Sequence, residues 1–264
     1  MKCSKGCSTT GIGNRGDFVS IPKCIEKLTG IQEVDLSRNW IRQIPRFTTN
    51  FIAITVLDLH SNKLENLPAT LGILRNLLVL NLCDNLLRSL PRELGQLKNL
   101  RTLRLVVNQL DNLPATLGIL QNLLVLNLCD NLLRSLPREL GQLKNLQTLR
   151  LAVNQLDALP ASIVELKELR YIGLSDNRFT HVPGCLNRLS KLEKVNMDRN
   201  PIWILPDVAE GGAAHFLMMW HRQSWTLPFE DGGGKNKVYS LFGLLFLLLK
   251  YVELVLKYKF SLFV

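Results

Sequence analysis

The amino-acid sequence predicts an α/β solenoid, a curved horseshoe of about eight 23-residue coils with a parallel sheet on its concave face. Two regularities predict it: asparagines recur every 23 residues, and a proline follows six residues after each of them. The asparagines are Asn39, Asn62, Asn85, Asn108, Asn131, Asn154, Asn177 and Asn200, and the prolines run at the same interval from Pro45 to Pro206. Repeat periods of roughly 20 to 50 residues are typical of solenoids, in which one coil stacks on the next.

Each position of the repeat has a physical role, which the coil containing Asn85 illustrates. Leu80 and Leu82 alternate with a polar residue, which is the period of a short strand with one buried face. Asn85 is expected to turn inward at the end of that strand, where its amide can bond the backbone of adjacent coils. Pro91 lacks an N–H and therefore suits a convex segment outside the sheet. One coil cannot bury its leucines alone, so stacking must supply the core.

The repeat pattern divides the chain into four segments. Residues 1–17 form a polar, basic N-terminal tail, 18–206 the repeat domain, 207–234 a segment expected to cap the last coil, and 235–264 a hydrophobic tail. The repeat domain begins with a degenerate half-repeat, in which Pro22 extends the proline series backwards by one period. Terminal coils need such caps because their outer face would otherwise be open.

Two coils occur twice as a block. Residues 66–111 and 112–157 are copies of each other over 46 positions. They differ only at Arg75/Gln121, Arg101/Gln147 and Val106/Ala152. The block was therefore duplicated as a unit of two coils.

The repeat reads L-x-x-L-x-L-x-x-N-x-L-x-x-L-P-x-x-L-x-x-L, and it resembles that of intracellular leucine-rich-repeat scaffolds such as the Ras suppressor. The resemblance covers roughly residues 18–203 and is carried by segments such as 21–25, 35–45 and 57–62. It implies a horseshoe fold and a cytoplasmic, non-enzymatic binding role, and it supplies no catalytic residues. The duplicated block and the chain beyond Pro206 depart from the family pattern.

The solvent-facing strand positions lie six, four and two residues before each asparagine and should form the concave surface. Acidic residues such as Asp35 and Asp58 precede a basic middle at Arg104 and Arg150. Because exposed valines and positioned arginines suit the centre of an interface, we expect a protein or peptide partner with acidic and apolar groups. The alternative is that valine serves only strand propensity. The predicted partner-binding residues are Asp35, Asp58, His60, Val79, Asn81, Cys83, Arg104, Val106, Val125, Asn127, Cys129, Arg150 and Tyr171.

Charge and cysteine content narrow the class of function. The net charge of +10 comes mostly from the two ends, since residues 1–30 carry +3 and residues 235–264 carry +4. A basic average that comes mostly from the two ends is only a weak argument for nucleic acid, so we do not expect a nucleic-acid partner. The six cysteines lack the dense spacing of a secreted disulfide scaffold, and the first 16 residues contain no apolar signal sequence. We therefore expect free thiols and a cytoplasmic location.

No constellation of residues predicts an enzyme, a cofactor or a metal site. Gly11-x-Gly13-x-x-Gly16 has the spelling of a dinucleotide-binding loop, but no predicted strand precedes it and no helix follows it in a βαβ unit. Cys3 and Cys7 lack two further metal ligands nearby, and the four histidines are dispersed. The sequence favours a binding protein over an enzyme and leaves the oligomeric state open.

The hydrophobic tail carries an alternative function. From Val238 to Val264 nearly every residue is apolar, but Lys250 and Glu253 interrupt the run. The uncharged stretch of 12 residues is shorter than the roughly 20 needed to cross a bilayer. Three interpretations stay open: a tail anchor, an interfacial helix, or a C-terminal exon unrelated to the repeat domain. The first would make the chain a membrane-associated structural protein.

Overall fold

The computed structural model describes residues 18–21, 23–27 and 30–202. Within them the chain repeats one unit eight times, a short 3₁₀ helix followed by a three-residue strand. The helices are η1 (Lys23–Lys27), η2 (Arg46–Asn50), η3 (Ala69–Ile73), η4 (Arg92–Gln96), η5 (Ala115–Ile119), η6 (Arg138–Gln142), η7 (Ala161–Glu165) and η8 (Gly184–Arg188). The strands are β1 (Glu33–Asp35), β2 (Val56–Asp58), β3 (Val79–Asn81), β4 (Thr102–Arg104), β5 (Val125–Asn127), β6 (Thr148–Arg150), β7 (Tyr171–Gly173) and β8 (Lys194–Asn196).

The eight strands form one parallel sheet in chain order. Each strand pairs with the next at an offset of one repeat, so that Val79 lies beside Thr102 and Thr102 beside Val125. Parallel neighbours need a crossover connection, and a 3₁₀ helix lies in each crossover. The predicted solenoid with a parallel sheet is confirmed. In the described part of the chain the convex segments are 3₁₀ helices rather than α-helices.

One hydrophobic core runs through all eight coils. The middle residue of each strand and the leucines at the fixed offsets point into it, and Leu80 and Leu82 are both 0% exposed. Equivalent residues of neighbouring coils lie next to each other, so each leucine is covered by its own coil and by the coils beside it. Stacking thus buries what a single coil cannot.

The repeated asparagines form a ladder of hydrogen bonds at the ends of the strands. Nδ2 of Asn85 donates to the carbonyl oxygens of Leu82 in its own coil (3.1 Å) and of Leu59 in the preceding coil (3.0 Å). Its Oδ1 accepts the backbone N–H of Leu64 at 3.0 Å. The same bonds recur at Asn62, Asn108, Asn131, Asn154 and Asn177. The predicted inward turn of these side chains is confirmed.

A second, exposed asparagine ladder lies between the 3₁₀ helices and the strands. Each of its members donates Nδ2 to a backbone carbonyl oxygen of the preceding coil, over 2.8 to 2.9 Å. The donors are Asn76, Asn99, Asn122 and Asn145. At the equivalent place in the last two coils, Lys191 makes an ion pair with Glu168. Neighbouring coils are therefore joined by side chains both at the core and at the surface.

The residue before each ladder asparagine has a left-handed backbone conformation, with φ between 52° and 57°. These residues are Arg38, Ser61, Asp84, Val107, Asp130, Val153, Asp176 and Arg199. Aspartate tolerates this region comparatively well, whereas a β-branched side chain is rarely found there. Val107 and Val153 therefore carry local backbone strain.

Replacing Val107 with asparagine should raise the free energy of unfolding by about 1 kcal/mol, because asparagine adopts the left-handed conformation at lower cost. Val107 is 42% exposed, so little buried surface is lost. Urea-induced unfolding of the full chain, followed by circular dichroism, measures the effect. Val106→Asn is the matched control, since the neighbouring residue has no positive φ. Equal stabilisation by both substitutions would rule out backbone strain as the cause.

Four glycines allow neighbouring coils to approach closely on the convex side. They are Gly72, Gly95, Gly118 and Gly141, in η3 to η6. A Cβ atom on any of them would lie only 2.2 to 2.4 Å from a backbone carbonyl oxygen of the next coil. The absence of a side chain is what permits stacking at this distance.

Several predicted features lie outside the described residues. These are Pro22, Pro206, the N-terminal tail with its glycine motif and Cys3 and Cys7, the capping segment 207–234 and the hydrophobic tail 235–264. Among the residues that are described, none belongs to a helix long and apolar enough to cross a membrane. The three interpretations of the hydrophobic tail stay predictions.

Candidate functional site

The concave face consists of the first and third residues of every strand and of the residue two places after the third. The middle residue of each strand is buried, while the residues flanking it on the central strands are half-buried or exposed. All the predicted partner-binding residues lie on this face. In order along the sheet they are Asp35, Asp58, His60, Val79, Asn81, Cys83, Arg104, Val106, Val125, Asn127, Cys129, Arg150 and Tyr171.

The acidic end of the concave face is engaged in local hydrogen bonds. Oδ1 of Asp58 accepts the backbone N–H of His60 at 2.9 Å and lies 2.7 Å from its Nδ1. Oδ2 of Asp58 accepts a bond from Nδ2 of Asn81 at 3.0 Å. At Asp35, Oδ1 accepts the backbone N–H of Ser37 at 2.9 Å. These carboxylates therefore fix the ends of β1 and β2 and are less available to a partner than their charge alone suggests.

The two arginines in the middle of the face are equivalent in sequence but differ in environment. The guanidinium carbon of Arg150 lies 5.5 Å from the centre of the Tyr171 ring, within the range of a cation–π contact. Gly173 pairs with Arg150 across the sheet, and a Cβ atom on it would lie 3.0 Å from the hydroxyl oxygen of Tyr171. The missing side chain at Gly173 therefore leaves room for Tyr171 to support Arg150.

Arg104 is exposed and has no such support. Its strand neighbours are Asn81 on β3 and Asn127 on β5. Each of these asparagines accepts a backbone N–H through Oδ1, from Cys83 at 3.3 Å and from Cys129 at 3.2 Å. Within the described residues, no ion pair or aromatic ring engages the Arg104 guanidinium. This cation is thus available to a carboxylate from outside the chain.

Cys83 and Cys129 contribute apolar surface to the concave face. Both are free, half-buried thiols. Burial raises the pKa of each thiol above its ordinary value, and the nearby backbone and the Arg104 and Arg150 guanidinium groups offset this only in part. Both thiols are therefore neutral at physiological pH, and weak hydrogen-bonding groups of this kind pack much as small apolar side chains do.

The valines of the face are less exposed than their places in the repeat predicted. Val79, Val106 and Val125 are half-buried, because strands only about 4.8 Å apart cover the flanks of a β-branched side chain. More exposed apolar residues lie just beyond the strands, where Val107 is 42%, Leu132 45% and Val153 46% exposed. Sequence reasoning missed these three, although their places immediately before or after a ladder asparagine were visible. The apolar part of the face therefore extends toward its rim.

Within residues 18–21, 23–27 and 30–202, no three histidine, cysteine, aspartate or glutamate side chains are grouped so that they could hold a metal ion. Asp58 and His60 form a hydrogen-bonded pair. Cys83 follows His60 by one repeat along the face, but burial raises its pKa and so disfavours the thiolate that a nucleophile requires. The chemistry of the described face suits contact with a partner.

Two family models match the chain. The model of a leucine-rich repeat region matches residues 116–205, and a second leucine-rich-repeat model matches residues 52–110. Together they span most of the described sheet. No curated protein matches the chain significantly.

Solved structures with the same architecture include a bacterial protein and a plant receptor. A leucine-rich-repeat protein of Leptospira interrogans is 34% identical with a TM-score of 0.59, over 74% of this chain and 55% of that one. The plant peptide hormone receptor RGFR1, in complex with RGF2, is 30% identical with a TM-score of 0.61, over 76% of this chain and 34% of the receptor. This chain thus corresponds to about half of the first protein and a third of the second.

Proposed function

We propose, since this chain is a leucine-rich-repeat protein, that it is a cytoplasmic adaptor or scaffold in signalling, which binds another protein through its concave face. Leucine-rich-repeat domains generally mediate protein–protein interaction and are typically non-enzymatic. The proposal adds three points to that general role: the binding surface, the cellular compartment and the chemistry of the partner.

The exposed Arg104 is the observation that carries the choice of surface. It lies in the middle of the sheet, two strands from the Arg150–Tyr171 pair. Asn81 and Asn127 are its direct strand neighbours, and half-buried valines and neutral thiols occupy the other concave positions of those strands. An arginine that loses its water when a partner binds, and that then has apolar contacts around it, is typical of the residues that dominate binding energy at interfaces. A guanidinium pairs best with carboxylates, which favours a partner with acidic as well as apolar groups.

The cytoplasmic location is supported by the free thiols of Cys83, Cys129 and Cys185 and by the resemblance to intracellular scaffolds. The similarity to a receptor in complex with a peptide hormone supports a protein or peptide as the class of partner. It does not extend to the identity of that partner, because the concave side chains differ between arrays and set the specificity.

Reversing the charge of both concave arginines should abolish partner binding. The chain of residues 1–264 and its R104E/R150E variant are immobilised, and proteins retained from a cytosolic extract are compared by quantitative mass spectrometry. We expect one or a few proteins to be at least tenfold depleted with the variant, because two charge-assisted contacts are replaced by repulsion. The melting temperature should change little, since both arginines are exposed and the Arg150–Tyr171 contact contributes at most about 1 kcal/mol at an exposed site.

The matched control is R88E/R134E, which reverses the charge of two other exposed arginines. These two also occupy equivalent positions in the duplicated block, but they lie outside the strands. This control has the same change in net charge and should retain the partner. If the same proteins are recovered with all three chains, the partner does not bind the concave face. If both variants lose them equally, net charge rather than the concave surface governs capture.

A further inference from the structure

Across β3 to β6 the concave face repeats every two strands at every position except one, where Val106 corresponds to Ala152. Residues 66–111 and 112–157 are copies, and the in-register pairing of β3 to β6 places one copy beside the other without lateral offset. The recurring pairs are Val79 with Val125, Asn81 with Asn127, Cys83 with Cys129, and Arg104 with Arg150. Because adjacent strands lie about 4.8 Å apart, the same surface returns after about 9.6 Å across the sheet.

An α-helix matches this period, whereas a peptide in β conformation does not. Seven helical residues span about 10.5 Å, and side chains seven residues apart point within about 20° of the same direction. If the helix axis is tilted by roughly 24° from the perpendicular to the strands, those seven residues advance by the two-strand period across the sheet. A peptide in β conformation covers about 10 Å in three residues, but its side chains three apart point to opposite faces. A polyproline II segment repeats its direction after three residues and about 9.3 Å, but it places no other side chain on that face between the two repeated groups.

The concave side chains that recur every two strands define which side chains a bound helix should carry. Arg104 and Arg150 are both exposed, and each favours a carboxylate. Directly between them lies the half-buried amide of Asn127, with the half-buried Val125 and the neutral thiol of Cys129 on either side of it and Val106 next to Arg104. On a helix, the residues three and four places after an acid lie on the same face as that acid. Apolar residues there would contact Val125 and Cys129, which flank Asn127 on the strand between the two arginines.

We propose that the partner presents an amphipathic α-helix across β3 to β6, with two acidic residues seven positions apart on Arg104 and Arg150 and apolar residues between them. This inference rests on the proposed function, since it specifies the partner of the same concave face. The arginine supported by Tyr171 and the unsupported Arg104 make the two acidic positions of the helix inequivalent.

The test is a selection of displayed peptides on the immobilised chain of residues 1–264, from three libraries that are otherwise randomised alike. The first has glutamates at positions i and i+7 of a helical framework, and the second has them at i and i+5, on divergent sides of that framework. The third has them at i and i+3 of an extended segment flanked by prolines. We expect the tightest ligands from the first library, with affinity lowered at least tenfold by either R104E or R150E.

A charge swap then tests the register. In a selected ligand, one Glu→Lys change should restore binding to R104E, and the other should restore binding to R150E. R88E/R134E should leave the affinity unchanged.

The outcomes separate this inference from the proposed function. If ligands from the extended or the i, i+5 library bind at least as tightly as those from the i, i+7 library, and depend on Arg104, the proposal of a helical partner is wrong. The concave face is then still supported as the binding site. The same holds if only those libraries yield ligands. Helical ligands that bind R104E and R150E as well as the unchanged chain would overturn both the helix and the site.

Discussion

Replacing Asn85 with alanine is expected to lower the free energy of unfolding by about 3 kcal/mol. The change leaves the buried N–H of Leu64 without its acceptor and removes one donor each from the carbonyl groups of Leu59 and Leu82. These two carbonyl groups also accept bonds from the neighbouring ladder asparagines, so each keeps a partner. The orphaned N–H therefore dominates the loss. Urea unfolding of the full chain, followed by circular dichroism, measures it.

Asn99→Ala is the matched control, because it removes the same amide from the exposed ladder. Asn99 donates one hydrogen bond, to the carbonyl of Arg75, at a place where water can replace it. The expected loss is below about 1 kcal/mol. Similar losses at Asn85 and Asn99 would mean that the buried ladder has no special weight in stability.

Replacing Gly118 with alanine should lower the free energy of unfolding by about 3 kcal/mol. The new Cβ atom would lie 2.2 Å from the carbonyl oxygen of Glu139 in the next coil. Backbone atoms cannot move aside as a flexible side chain can, so the two coils must separate locally and lose packing in the core. Thermal unfolding of the full chain should show the loss as a lower Tm.

Gly184→Ala provides the control, since it places the same methyl group on another 3₁₀ helix. A Cβ atom on Gly184 would meet no other atom within 4 Å. Its effect should stay within about 0.5 kcal/mol, as for an ordinary surface substitution. Comparable losses from the two alanines would indicate that helix geometry, rather than the close approach of the coils, limits stability.

The repeat period was sufficient to predict most of the fold. A strict spacing of asparagines forces equivalent residues of successive coils into register, so the strand positions, the buried leucines and the inward asparagines follow from the sequence. The second ladder was also visible, since Asn76 and its equivalents recur at one offset. It was missed because an exposed asparagine has no obligatory partner, unlike a buried one.

The differences between equivalent positions could not be predicted in this way. Arg104 and Arg150 have the same place in the repeat, and their environments diverge only because Gly173 lets Tyr171 approach one of them. The strain at Val107 likewise depends on a positive φ that the local sequence does not favour. A periodic pattern describes what the coils share, whereas a binding surface depends on how individual coils depart from it.

The junction between the two copied blocks has the same hydrogen bond as the junction that follows the second block. Thr116 donates its hydroxyl to the carbonyl of Arg92 at 2.7 Å, and Ser162 makes the same bond to Arg138 at 2.6 Å where the second block meets the coil that follows it. The duplication of 46 residues therefore created a contact between coils of the same kind as one that occurs elsewhere in the array. Arrays with or without this block would therefore share the same contact between coils and would differ by two strands, or about 9.6 Å, in the width of the concave face.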